Sequence, residues 1–150
     1  MQNATVDANN TTSVSPAGNY DAAAIFETTA NGFHRIHPAA QYEASQPYTH
    51  SVYVKSIGGR NVQFTYNNTR FGNIYINFDL ANGVVGTVDG YDHYSIEDVG
   101  NGWYRCSATA TSVSAGSGDA SIVSIVGATA PRLPIYVGDT TKGLLIYGHQ

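Results

Sequence analysis

A chain of 150 residues, 42% of them hydrophobic, is the size of one globular domain that buries roughly 68–70% of the surface its unfolded form exposes. Only 12% of the residues are charged and the net charge is −4. The seven Lys and Arg stand singly, which excludes the clustered positive charge that nucleic acid demands of a partner. The single cysteine excludes an internal disulfide, and no apolar run approaches the ~18 residues of a membrane-spanning helix.

The start, MQNATVDANN, has neither a basic region nor an apolar core, so no export signal is expected in it, and residues 1–12 read as a polar lead-in. Next, NYDAAAIFETTANGFHRIHP reads as two strands joined in a hairpin at Asn31-Gly32, with Ala22 to Ala24 as the alternative start of a short helix. HSVYVKSI alternates, with Val52 and Val54 facing one way and Tyr53 and Lys55 the other. NVQFTY places Val62, Phe64 and Tyr66 on one side. IYINFDL turns Ile74, Ile76, Phe78 and Leu80 inward and Tyr75, Asn77 and Asp79 outward. HYSIEDV and WYRCSATATS form a hairpin across Gly100-Asn101-Gly102, and ASIVSIVG and GLLIYGHQ follow around a loop holding Pro131 and Pro134. About eight or nine strands with turns every 8–12 residues predict an all-β fold, an antiparallel two-sheet sandwich of the jelly-roll kind, as a single domain over 1–150.

In the strand starting at Trp103, alternation sends Tyr104, Cys106, Ala108 and Ala110 to one face and Trp103, Arg105, Ser107 and Thr109 to the other. Cys106 therefore reads as a small buried hydrophobe and not as a nucleophile, since no helix N-terminus or imidazole stands beside it in sequence. Trp103 has two readings. Its indole stacks on a sugar ring beside Arg105, or it covers the end of the sandwich while Arg105 pairs with Glu97 or Asp98. His34 and His37 point to opposite faces of a strand, and His50, His93 and His149 stand alone, so no zinc spacing is present. Asp89, Asp92 and Asp139 lie in Gly-rich loops and are the candidate ligands if a structural calcium is held. Glu97 and Asp98 are adjacent and point apart. With three glutamates in all, nothing stands out as a glycosidase acid/base pair, and no nucleophile elbow, P-loop or dinucleotide fingerprint occurs. Binding fits better: Tyr53, Tyr75 and Trp103, with Asn77, Asn68, Arg70 and Arg105, are the candidate polar-aromatic surface for glycan or a partner protein.

Ser51 to Lys55, Asn77 to Val84 and Gly100 to Cys106, in that order, carry a resemblance. Over Ala4 to Gln150 the chain resembles the jelly-roll domain of tailed-phage head spike fibres and tail fibres. That domain is a carbohydrate-binding-module-like, concanavalin-like sandwich, with relatives in some secreted polysaccharide-degrading enzymes. The resemblance implies a non-enzymatic structural or adhesion domain on the virion surface: a head fibre, a capsid decoration or a tail-fibre module. Its partners would be other virion subunits or host surface polysaccharide, and phage fibres of this kind are commonly homotrimers. The alternative is a carbohydrate-binding module of a secreted polysaccharide-degrading enzyme. Two departures stand out. The family usually has tryptophan where this chain has Tyr147, and it usually extends beyond both ends, so the chain is expected to be a piece of a longer protein or a trimmed version.

Overall fold

A computed structural model describes residues 1–150. The strands are β1 (Ala4–Asp7), β2 (Ala23–Glu27), β3 (Asn31–Gly32), β4 (His34–Ile36), β5 (Ala39–Tyr42), β6 (Pro47–Ile57) and β7 (Asn61–Tyr66), followed by the single-turn helix α1 (Asn68–Phe71). The rest are β8 (Tyr75–Asp79), β9 (Val84–Asp89), β10 (His93–Gly100), β11 (Trp103–Thr111), β12 (Gly116–Ile125), β13 (Tyr136–Val137) and β14 (Gly143–Tyr147). Sheet I runs β1-β2-β14-β6-β11-β10. Sheet II runs β4-β12-β7-β8-β9, with β5 continuing the β4 edge along β12, and every pairing in both is antiparallel. With β2, the β4–β5 edge, β6, β7, β8, β11, β12 and β14 taken as first to eighth, one sheet reads first-eighth-third-sixth and the other second-seventh-fourth-fifth. That order is the wrapping of a jelly roll.

The expected period-2 pattern builds the core. Val52 and Val54 from β6, Phe64 from β7, Ile76 and Phe78 from β8, and Cys106, Ala108 and Ala110 from β11 are all buried in one cluster between the sheets. The small residues of β11 leave room for Phe64 and Phe78, whose rings meet edge-on at 5.0 Å. Gly100, Asn101 and Gly102 all take positive φ, which is how the β10–β11 hairpin turns.

Two expectations change. Asn31-Gly32 is no hairpin turn: it forms β3, which pairs with β13, while β2 joins sheet I and β4 joins sheet II. Gly32 serves close approach instead, because a Cβ there would stand 2.5 Å from the Asn3 amide nitrogen that donates to the Phe33 carbonyl. Residues 1–12 hold β1, registered on β2 from Ala4 opposite Glu27 to Asp7 opposite Ala24, and Asn10 is buried. Beyond β1 the chain crosses the outer side of sheet I. There Trp103 donates through Nε1 to the Val14 carbonyl (2.9 Å) and Lys55 Nζ donates to Ser13 Oγ (3.2 Å). A second, smaller core of Ala22, Ala24, Trp103 and Leu145 forms under that crossing.

The outer side of sheet II is covered too. Asn77 donates to the Ala128 and Ala130 carbonyls, Gln63 donates to Asn77 and to the Pro131 carbonyl, and Arg132 reaches the Thr65 hydroxyl and two carbonyls of the sheet. Outward amides on β7 and β8 thereby hold the proline-bearing loop as a lid, since a buried amide needs its partners.

Candidate functional site

Sheet I keeps one half of its outer side open. Register places Arg105 between Tyr53 on β6 and Glu97 on β10, and Tyr53 opposite Tyr147 on β14. The Tyr53 and Tyr147 rings lie 6.1 Å apart at 47°. Together with Ser51, Gly148 and Gln150 these side chains line a shallow cavity of about 280 Å³. Arg105 does not pair with Glu97 or Asp98: the chain's ion pairs are Arg35–Asp119, His37–Asp119 and Arg60–Glu27. A guanidinium has five donors and no acceptor, so Arg105 offers this cavity a directed set of donors at one edge of the Tyr53–Tyr147 pair.

The strand that carries Tyr147 then changes sides. Ser51 exchanges both backbone hydrogen bonds with Gln150, although alternation from the Tyr53–Tyr147 pair would bring position 149 there. The extra residue is a bulge at Gly148, whose φ of +59° is left-handed. As a result Tyr147 faces outward while His149 turns inward, and its Nε2 stands 2.6 Å from Nε2 of His50. His50 is buried and stacks on Phe64 at 4.3 Å. Burial first, and the neighbouring His149 second, push its pKa down to about 3, and burial lowers that of His149 as well. At neutral pH both rings are uncharged, one donating to the other, and His50 Nδ1 is left buried without a partner. Behind this pair a second cavity of about 230 Å³ opens between the sheets. Tyr42, Tyr48 and Tyr66, with Ala39, Ala40 and Ala120, line it.

The seven residues expected to share one surface are thus dispersed. Tyr53 and Arg105 meet. Trp103 shares their side of the sheet, as alternation requires, but is buried under the N-terminal crossing, so its indole face is not open to a ligand. Tyr75 sits on β8 of the opposite sheet across from Asp89, and Asn77 is buried beneath the proline-bearing loop. Arg70 donates to the Ser117 carbonyl (3.0 Å), Ser114 Oγ (2.9 Å) and the Ala115 carbonyl, bracing the entry to β12. Asn68 is exposed on α1 and borders a third cleft of about 220 Å³ with Arg35, Asp119 and Arg132.

The candidate calcium ligands do not converge. Asp92 accepts from the Thr111 hydroxyl and Asp139 from the Thr141 amide and hydroxyl. Asp139 lies by Glu27 and Arg60 at the start of β7, whereas Asp89 pairs with Tyr75 beside its far end. No group of three or more His, Cys, Asp or Glu stands around one point. Cys106 is buried, and burial alone raises its thiol pKa well above the ordinary value, the opposite of what a nucleophile needs.

No family model matches the chain, and no curated protein is significantly similar to it.

Tyr147, His149 and Gln150 were not among the candidate residues. Tyr147 could be found from the sequence, since alternation in GLLIYGHQ sets it on the opposite face from Leu144 and Ile146. The His50–His149 contact could not, because the bulge that inverts alternation is signalled only by one glycine.

Proposed function

We propose that the chain is a non-enzymatic display domain of a tailed-phage virion, a head fibre, capsid decoration or tail-fibre module, and that the open half of sheet I is its contact surface for host glycan. The observation that carries the contact surface is Arg105, without an acidic partner, beside Tyr53, with Tyr147 on the far side of Tyr53 and all three lining one shallow cavity. Sugar rings take aromatic planes on their C–H faces and directed donors on their hydroxyls, and this cavity supplies both. A single shallow cavity holds glycan weakly, so repeated copies on a particle raise avidity, and a homotrimeric fibre is the arrangement we propose. The assignment to a virion rests on the resemblance of Ser51 to Lys55, Asn77 to Val84 and Gly100 to Cys106.

A glycan array followed by calorimetric titration tests the reading. Binding to a bacterial surface polysaccharide, weakened at least ~10-fold by Tyr53→Ala, Tyr147→Ala or Arg105→Ala, is expected. Silence across a broad array, or binding that these variants leave unchanged, refutes it. The same cavity would serve a carbohydrate-binding module of a secreted polysaccharide-degrading enzyme. Binding confined to plant or algal polysaccharides favours that alternative. Light scattering on the purified domain reports the trimer.

A further inference from the structure

The crevice between the sheets is a different kind of space from the cavity outside sheet I, yet Gln150 lines both. Ala40 and Tyr42 share the inner face of β5, and Ala120 projects from β12 beside them. None of the lining residues is Asp, Glu, Lys or Arg, so nothing in the crevice calls for an ionic ligand. A sugar carrying only hydroxyls would bury several of them against methyls and ring faces without partners, which costs affinity for each one. What the crevice does offer is an apolar end and, at its mouth, one polar edge formed by His149 and the Gln150 amide, with the unpartnered Nδ1 of His50 buried behind them. A volume of about 230 Å³ admits one ring substituent or one ring, not a chain.

Resting on the glycan reading above, we propose that this crevice is a subsite for the acetamido group of a 2-acetamido sugar, its methyl against Ala40 and Ala120 and its amide against His149 and Gln150. The amide has one donor and one acceptor. A neutral imidazole and a carboxamide can satisfy both, and the methyl removes apolar wall from water. The rest of the glycan then leaves the crevice past Gln150 and reaches the Tyr53–Tyr147 cavity, so the two spaces are successive parts of one path.

The test is an NMR titration of the whole chain with N-acetylglucosamine and N-acetylgalactosamine, with glucose and galactose as controls. The acetamido sugars are expected to shift the Ala40 and Ala120 methyl signals and the His149 ring signals, with Kd on the order of 1 mM. The plain hexoses should leave those signals in place. Ala40→Trp, at an exposed edge position, fills the crevice and should weaken the acetamido response at least ~10-fold, with an amide spectrum that shows the fold intact. Three outcomes overturn the inference. Acetamido sugars that shift only Tyr53 and Tyr147 refute it while the glycan reading stands. Equal shifts from plain hexoses refute the acetamido preference. A spectrum that no sugar, including those found on the array, disturbs removes the glycan reading and the inference with it.

Discussion

Arg60→Ala should destabilise this fold far more than the loss of a surface ion pair would. The Glu27 carboxylate is 1% exposed and accepts from Arg60 Nε (2.7 Å) and Nη2 (3.1 Å), Ser124 Oγ (2.9 Å), the Tyr136 hydroxyl (2.6 Å) and the Asp139 amide (2.9 Å). These five donors come from the turn before β7, from β12 of sheet II, from β13 and from the turn before β14, so the carboxylate on β2 ties the sheets together at one end. Removing the guanidinium leaves a buried charge without its cation, a change that costs about 3–5 kcal/mol. Exposed pairs are worth about 0–1 kcal/mol. In a chain of this size each kcal/mol moves the melting temperature by roughly 2–4 °C, so Arg60→Ala should lower it by roughly 6–20 °C. Replacing both partners with Leu and Met should not restore stability, because Ser124 Oγ and the Asp139 amide would each lose an acceptor at about 1–3 kcal/mol apiece, while the Tyr136 hydroxyl keeps the Ser124 carbonyl. Urea unfolding of wild type, the single variant and the double variant reads these values. A loss below about 1 kcal/mol for Arg60→Ala would refute the inter-sheet tie. The pH dependence has a defined sign. Burial pushes the Glu27 pKa up, but Arg60, Tyr136, the Asp139 amide and Ser124 together bring it below its ordinary 4.5. Its folded pKa is thus depressed, and its contribution is present above pH 4.5 and lost as pH falls through the lower folded value. Glu27→Gln should flatten the stability curve in that acid window.

Trp103→Ala should cost about 3–5 kcal/mol, from a ring 1% exposed and a hydrogen bond to Val14, and should open the 8–22 segment to limited proteolysis. As the chain's only tryptophan, Trp103 in the wild type should show blue-shifted emission that acrylamide quenches poorly until the protein unfolds. His50 is buried neutral with a folded pKa of about 3 against an ordinary 6.5. Its contribution is therefore full above pH 6.5 and is lost progressively toward pH 3, a window that His50→Gln should flatten in chemical unfolding measured across pH. Gly148→Ala forces a side chain into φ +59° at about 1–2 kcal/mol, and the His50 and His149 ring signals should shift together in its NMR spectrum. Asn77→Ala should release the loop that holds Ala128 and Ala130 and speed amide exchange there, with about 1–3 kcal/mol lost.

The inner faces of the sheets were legible from the sequence because one rule governs them. Val52 and Val54, Phe64, Ile76 and Phe78, Cys106 and Ala108 are apolar at every second position, and only a shared interior makes that arrangement favourable. The outer faces follow the same alternation but answer to no such rule, since what covers them comes from distant parts of the chain. Trp103 and Arg105 do point the same way, yet Trp103 lies beneath Val14 and Arg105 is left open. No local feature of WYRCSATATS distinguishes them. Asn77 looked like a ligand-facing amide because its outward position was right, and the loop it holds at Ala128 and Ala130 begins 51 residues later. Asn31-Gly32 failed for a related reason: the dipeptide favours a tight turn only when the flanking strands can pair, and pairing with β1 and β14 commits β2 to sheet I while Ile36 pairs with Ile122 in sheet II. The candidate site lies where both limits meet. Tyr53 and Arg105 could be placed by alternation, whereas Tyr147 and His149 are sent to opposite faces by one extra residue at Gly148. The division of this end of the sandwich into an outer aromatic cavity and an inner crevice depends on that residue, which makes Gly148 the position whose substitution should disturb both spaces at once.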